Sequence, residues 1–74
     1  MSRLQRLRGR AIIAALKRGG FTVVRARGSH NFLRDPHGHA TAVPCHAGET
    51  VGPGLMRKVL RDLEMEPEQL DELL

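Results

Sequence analysis

At 74 residues the chain is expected to form one domain, residues 1–74, and a domain this small buries only about 60% of its unfolded surface, so its core is thin. Phe21 and Phe32 are its only aromatic residues, so aliphatic side chains must fill the interior. The net charge of +4 is unevenly laid out along the chain: residues 1–34 carry nine Lys or Arg and no acid, whereas residues 62–74 carry six acids and no base.

A front half this basic suggests a polyanion, foremost a nucleic acid, as partner. No apolar run approaches the ~18 residues needed to span a membrane, and "RAIIAALKR" is too short for a secretory signal. Cys45 stands alone, so no internal disulfide can form, which fits a reducing cytoplasm.

Residues 1–9, "MSRLQRLRG", read as an irregular basic arm. "RAIIAALKR" then places Ile12, Ile13 and Leu16 on one helical face, with Lys17 and Arg18 in the last turn, where cations suit the helix dipole, and Gly19-Gly20 as the stop. "FTVVRAR" is β-branched and reads as a strand that Gly28 breaks. "SHNFLR" reads as a second strand, "DPHGH" as a turn and "ATAVPC" as a third strand with Pro44 near its end. "HAGETVGPG" reads as a loop. "PGLMRKVLRDLE" begins with proline at a first-turn position and has Leu55, Met56, Val59, Leu60 and Leu63 as its apolar face. Residues 67–74 read as a short acidic tail helix. The order is α-β-β-β-α: an α+β fold with a three-stranded antiparallel sheet, both main helices on one face, and a short C-terminal helix.

With "DPHGH" as the loop, Arg34 lies opposite Ala40, Phe32 opposite Ala42 and His30 opposite Pro44. His30 then shares one end of the sheet with Cys45 and His46. His37 and His39 sit roughly 16 Å away at the strand rise. Zinc needs its ligands within about 2.3 Å of one point, so no metal site is expected. His37 and His39 read as solvated turn residues and Cys45 as a small buried thiol. In this register Leu33, Thr41 and Val43 face the helices, while His30, Phe32 and Arg34 face outward.

The stretch "GFTVVRARGSHNFLRDPHGHATAVPCHAGETVGPGLMRKVLRDLEM", preceded by "LRGRAIIAALKRGGF", closely resembles the HicA toxins, small mRNA-cleaving proteins of bacterial toxin–antitoxin pairs. The likeness runs over roughly residues 7–70. It rests on the order and spacing of the Gly-Phe helix exit, the Gly-Ser-His triplet, the Asp-Pro-x-Gly turn, "VPCH" and the Pro-Gly before the last main helix. The resemblance implies an α-β-β-β-α fold similar to a double-stranded-RNA-binding domain. It also implies cleavage of mRNA without the ribosome, an essential histidine at His30, and a HicB-like antitoxin that covers the active surface. The chain departs from the family at two positions. Glu64 stands where the last main helix usually meets a glycine, and Glu64 disfavours the left-handed cap, so a different exit toward residue 67 is expected. Leu55 replaces the hydroxyl residue that often follows Pro-Gly.

RNA cleavage without a metal or cofactor needs a base for the ribose 2′-OH, an acid for the 5′-oxygen and positive charge for the phosphorane. Imidazole changes charge near neutrality and serves either proton role. His30 is therefore the expected catalytic residue, with possible assistance from His46 and Ser29. Arg25, Arg27 and Arg34 can hold phosphate by their fork geometry, and Gly28 allows close backbone approach. Ser29, Lys17 and Arg18 add candidate phosphate contacts, without sequence choice. With two Phe, base stacking is expected to be limited. The alternative is a non-catalytic RNA- or DNA-binding module of similar fold. A third reading makes the acidic tail a docking helix. The free protein is expected to be a monomer and a partner of both RNA and an acidic antitoxin.

Overall fold

A computed structural model describes residues 7–46 and 49–74. Helix α1 (Gly9–Arg18) buries Ile12, Ala15 and Leu16 on one face and keeps Lys17 and Arg18 in its last turn. Strands β1 (Thr22–Arg27), β2 (His30–Arg34) and β3 (Ala40–Pro44) follow, then α2 (Pro53–Asp62) with proline in its first turn, and α3 (Pro67–Leu73). The strands form one antiparallel sheet in the order β1-β2-β3. The expected α+β arrangement is therefore the one observed.

The sheet has two unlike faces because side chains alternate along each strand. Leu33 and Val43 are fully buried and Thr41 nearly so, under the helices. Leu33 and Val43 join Ile12, Leu16, Val59 and Leu70 in one core. The other face stays open. The β2–β3 register is the one expected from the turn: His30 opposite Pro44, Phe32 opposite Ala42, Arg34 opposite Ala40. Along β1 the ladder skips Val24, a bulge that leaves this side chain 59% exposed. Beyond the bulge, Arg25 lies opposite Phe32 and Arg27 opposite His30.

The β1–β2 connection is a two-residue turn, Gly28-Ser29, with Gly28 at φ 58°. Glycine in the first central position is what a II′ hairpin turn requires. Ser29 therefore belongs to the turn rather than to the strand. In the β2–β3 turn, Asp35 Oδ1 accepts from the backbone N–H groups of His37 and His39 at 3.0 and 2.8 Å.

Two expectations about backbone are corrected. Residues 1–6 of the expected arm lie outside the described residues, but Leu7 and Arg8 are not irregular. Arg8 bridges Thr50, and Val51 N–H donates to the Leu7 carbonyl at 2.8 Å. Gly9 already belongs to α1 and lies so close to the end of β3 that a Cβ there would collide with the Pro44 carbonyl. Glu64, expected to avoid the left-handed cap, adopts it, at φ 52°. Its N–H donates to Arg61 O at 3.1 Å and Met65 N–H donates to Leu60 O at 2.9 Å, the paired bonds of a Schellman cap. Helix α1 ends the same way, with Gly20 in the corresponding position.

The acidic tail packs on its own body. Leu70 is fully buried, α3 contacts α1, and the Arg18 guanidinium donates to the Leu73 carbonyl at 2.6 Å. Helix α3 starts with a capping box, in which Glu66 N–H donates to Gln69 Oε1. Among the described residues no helix is long and apolar enough to cross a membrane.

Candidate active site

The open face carries most of the candidate site residues. Residues directly opposite one another in an antiparallel ladder point to the same side. One row therefore holds Arg27, His30 and Pro44, the next Arg25, Phe32 and Ala42, and the next Arg34 and Ala40. Of these, the four ionisable side chains Arg25, Arg27, His30 and Arg34 are all exposed. The Arg25 guanidinium lies over the Phe32 ring, 5.7 Å from its centroid.

His30 stands at one end of the face, immediately after the Gly28-Ser29 turn. One backbone bond past the ladder holds the end of β3 to that turn: Cys45 N–H donates to Ser29 O at 2.7 Å. This places the next residue, His46, beside Ser29, whose Oγ lies 3.1 Å from His46 Nε2. His30 and His46 together line a cavity of about 250 Å3, along with Pro44, Glu49, Thr50 and Leu55. Ser29, His30 and His46, each a candidate on separate sequence grounds, thus converge at one place.

Glu49 and Thr50 carry no signal in the sequence that marks them as part of a site. They come from the loop before α2, and the Arg8–Thr50 bridge fixes that loop beside the sheet end. No spacing in the sequence announces a pairing between residues 8 and 50.

Lys17 and Arg18 are not part of this cluster. They lie on α1, in the helical layer on the other side of the sheet, and Arg18 is engaged at the end of α3. Lys17 instead lines a separate cavity of about 420 Å3 with Arg10, Asn31 and Cys45. Cys45, expected to be buried, is only half-buried there.

At the opposite end of the sheet His37 is exposed as expected, but His39 is not a free turn residue. Its Nδ1 lies 2.9 Å from Asp35 Oδ2 and its Nε2 lies 3.7 Å from Glu64 Oε1. The Asp35 hydrogen bond raises the His39 pKa above its ordinary value, against a smaller cost of desolvation. Desolvation pushes Asp35 up, but the hydrogen bonds from the His39 ring and from the His39 and His37 amides outweigh it and hold the carboxyl low. Among the described residues no three His, Cys, Asp or Glu side chains are grouped closely enough to hold a metal ion.

The arrangement can move protons at two imidazoles within one small cavity and hold negative charge along three arginines. No curated protein matches this chain in a sequence comparison. The sequence profile described as the HicA toxin of bacterial toxin–antitoxin pairs matches residues 9–65. That match runs from the first residue of α1 to the residue after the left-handed cap of α2, and on its extent the chain belongs to the HicA toxin family.

Proposed function

We propose that this toxin is a metal-independent endoribonuclease that cleaves mRNA by histidine acid–base catalysis and is neutralised by a HicB-like antitoxin. The observation that carries this reading is that His30 and His46 line one cavity, with the Ser29 hydroxyl 3.1 Å from His46 Nε2, at the end of a face that carries Arg25, Arg27 and Arg34.

In the reaction one imidazole takes the proton of a ribose 2′-OH as the 2′-oxygen forms its bond to phosphorus. The bond from phosphorus to the 5′-oxygen then breaks, and a second acid returns a proton to that oxygen. His30 is the first proton carrier. His46 is the second, oriented by the Ser29 hydroxyl. A proton-transfer group of this kind typically contributes about 10²–10⁴-fold. Arg27, in the same row as His30, is the nearest of the three arginines along the strands to the developing charge, and its planar fork suits two phosphate oxygens. Gly28 adds no side chain at the turn, where a Cβ would meet no protein atom, so an RNA backbone can approach.

An antitoxin that covers this face must offset its arginines, so it should present carboxylates, and its association should slow as salt rises. The cytoplasm, where mRNA is found, is the proposed site of action.

The test is to incubate the purified protein and its His30→Ala form with mRNA, with and without EDTA. The wild type should cleave in both conditions and His30→Ala should lose about 10²–10⁴-fold in rate. Binding without cleavage by both forms would establish a non-catalytic RNA-binding module. Cleavage abolished by EDTA would reject the metal-free mechanism.

A further inference from the structure

The open face contains one aromatic ring that the catalytic reading does not use. Phe32 is half-buried, stands in the middle strand and faces outward with Ala42 beside it. A small residue at Ala42 leaves the flank of the ring clear. Val24, exposed at the bulge, and the open-face residues Arg25, Phe32, Arg34 and Ala42 line a cavity of about 430 Å3 that also reaches Thr41 and Asp62 of the covered side. The acid at its rim, Asp62, is already occupied by Lys58 at 2.8 Å and the Thr41 hydroxyl at 3.0 Å. The face therefore offers an apolar plate inside a frame of positive charge.

We infer that Phe32 is a stacking platform for one unpaired base of single-stranded RNA, whose backbone runs along Arg25, Arg27 and Arg34 toward His30. The inference rests on the ribonuclease reading above and names its substrate form. Phe32 is two residues from His30 on the same face, roughly 7 Å along the strand. A base stacked on Phe32 thus belongs to a nucleotide next to the one whose phosphate reaches His30. Arg25 occupies the ring in the free protein, at 5.7 Å from the centroid. That gap does not admit a base between the two planes, so the base displaces the guanidinium, which moves onto the flanking phosphate. The exchange is favourable because base stacking on an aromatic ring is worth more than an exposed cation–π contact. A base inside a duplex has both faces covered by its neighbours and cannot make this contact. Stacking is also indifferent to base identity, so the platform selects single strands without selecting a sequence.

The test uses the full chain carrying His30→Ala, so that RNA stays intact. Binding is measured for a labelled single-stranded RNA, for the same sequence in a duplex, and for an abasic strand of equal length. The single strand should bind about 5–150-fold more tightly than the abasic strand, the range that one stacked base supports. Adding Phe32→Leu should erase that advantage, whereas Phe32→Tyr should keep it. The comparison between intact and abasic strands needs no change at Phe32, so a poorly folded variant does not blunt it. Equal binding of the abasic strand, equal binding of the duplex, or an advantage that survives Phe32→Leu overturns the inference. Tighter binding of polyglutamate than of single-stranded RNA marks a protein-docking face and overturns it too. Failure of the wild type to cleave RNA while the base advantage persists would remove the catalytic reading and leave the platform standing. Cleavage without any base advantage would do the reverse.

Discussion

Replacing Glu64 with glycine should stabilise the protein. Glu64 sits at φ 52° in the left-handed region that closes α2. The position is enforced by two backbone bonds, Glu64 N–H to Arg61 O at 3.1 Å and Met65 N–H to Leu60 O at 2.9 Å, and by the packing of Met65 against the core. A residue with a Cβ in that region costs about 1–2 kcal/mol. Glycine removes the strain but loosens the unfolded chain, which returns about 0.4–1 kcal/mol. The net gain is about 0.5–1 kcal/mol, or roughly 2–8 °C in Tm for a domain of this size. Glycine also removes the carboxylate that stands 3.7 Å from His39, but Glu64 is 80% exposed and the pair adds little. Gly20, in the matching position of α1 at φ 99°, supplies the mirror experiment, because a Cβ there would meet nothing within 4 Å and only backbone strain is added. Gly20→Ala should lower Tm by a similar amount. Both are read by thermal unfolding followed by circular dichroism at about pH 8, beside Glu64→Gln, which keeps the strain and should leave Tm unchanged. If Glu64→Gly does not raise Tm and Gly20→Ala does not lower it, left-handed strain is not what governs these two caps.

The remaining predictions concern the two ends of the sheet. Because His39 has a raised pKa, its contacts stabilise the protein fully below the ordinary histidine value of 6.5 and fade as pH rises through the raised value. Asp35, with a lowered pKa, contributes above 3.8 and is lost as pH falls below it, so the Tm difference between wild type and His39→Ala should peak between those values and shrink in alkali; a pH-independent difference would contradict this. Gly9→Ala pushes a methyl group into the Pro44 carbonyl and should cost about 1–3 kcal/mol, read by urea unfolding. His46→Ala should lower RNA cleavage by about 10²-fold or more as loss of a proton carrier, while Ser29→Ala should lower it less and leave Tm unchanged; cleavage intact in His46→Ala would remove His46 from the mechanism.

The hairpin register is legible in the sequence because it depends on local matters: one turn fixes the loop length, and alternation then assigns every side chain to a face. The open and covered faces follow from it, and so does the meeting of His30 with His46. The Gly28-Ser29 turn differs from expectation by a single residue because serine suits a strand end and a turn almost equally. The contacts of His39 are not legible because the meeting with Asp35 depends on the conformation of the turn they share, and Glu64 lies beyond α2. Glu64 itself shows why propensity is a weak guide at a cap. Its side chain disfavours the left-handed region, but Met65 packs against the core and is fixed by its bond to Leu60, so tertiary packing overrides the local preference.

The placement of His46 shows how little of the site belongs to the site residues themselves. Three close backbone approaches hold it: Cys45 N–H on Ser29 O, Gly9 against Pro44, and Val51 N–H on Leu7 O. The first sets the Ser29 and His46 side chains within hydrogen-bond reach. The second allows the start of α1 to press on the end of β3, which only a residue without a Cβ permits. The third brings the loop carrying Glu49 and Thr50 across the same end and closes the cavity. The proposed chemistry needs an imidazole at two positions, yet their mutual geometry is decided by a glycine and by amide groups that take no part in it. Substitutions at Gly9 should therefore reduce cleavage through the position of His46 even under conditions where the protein remains folded, which separates a displaced proton carrier from a lost fold.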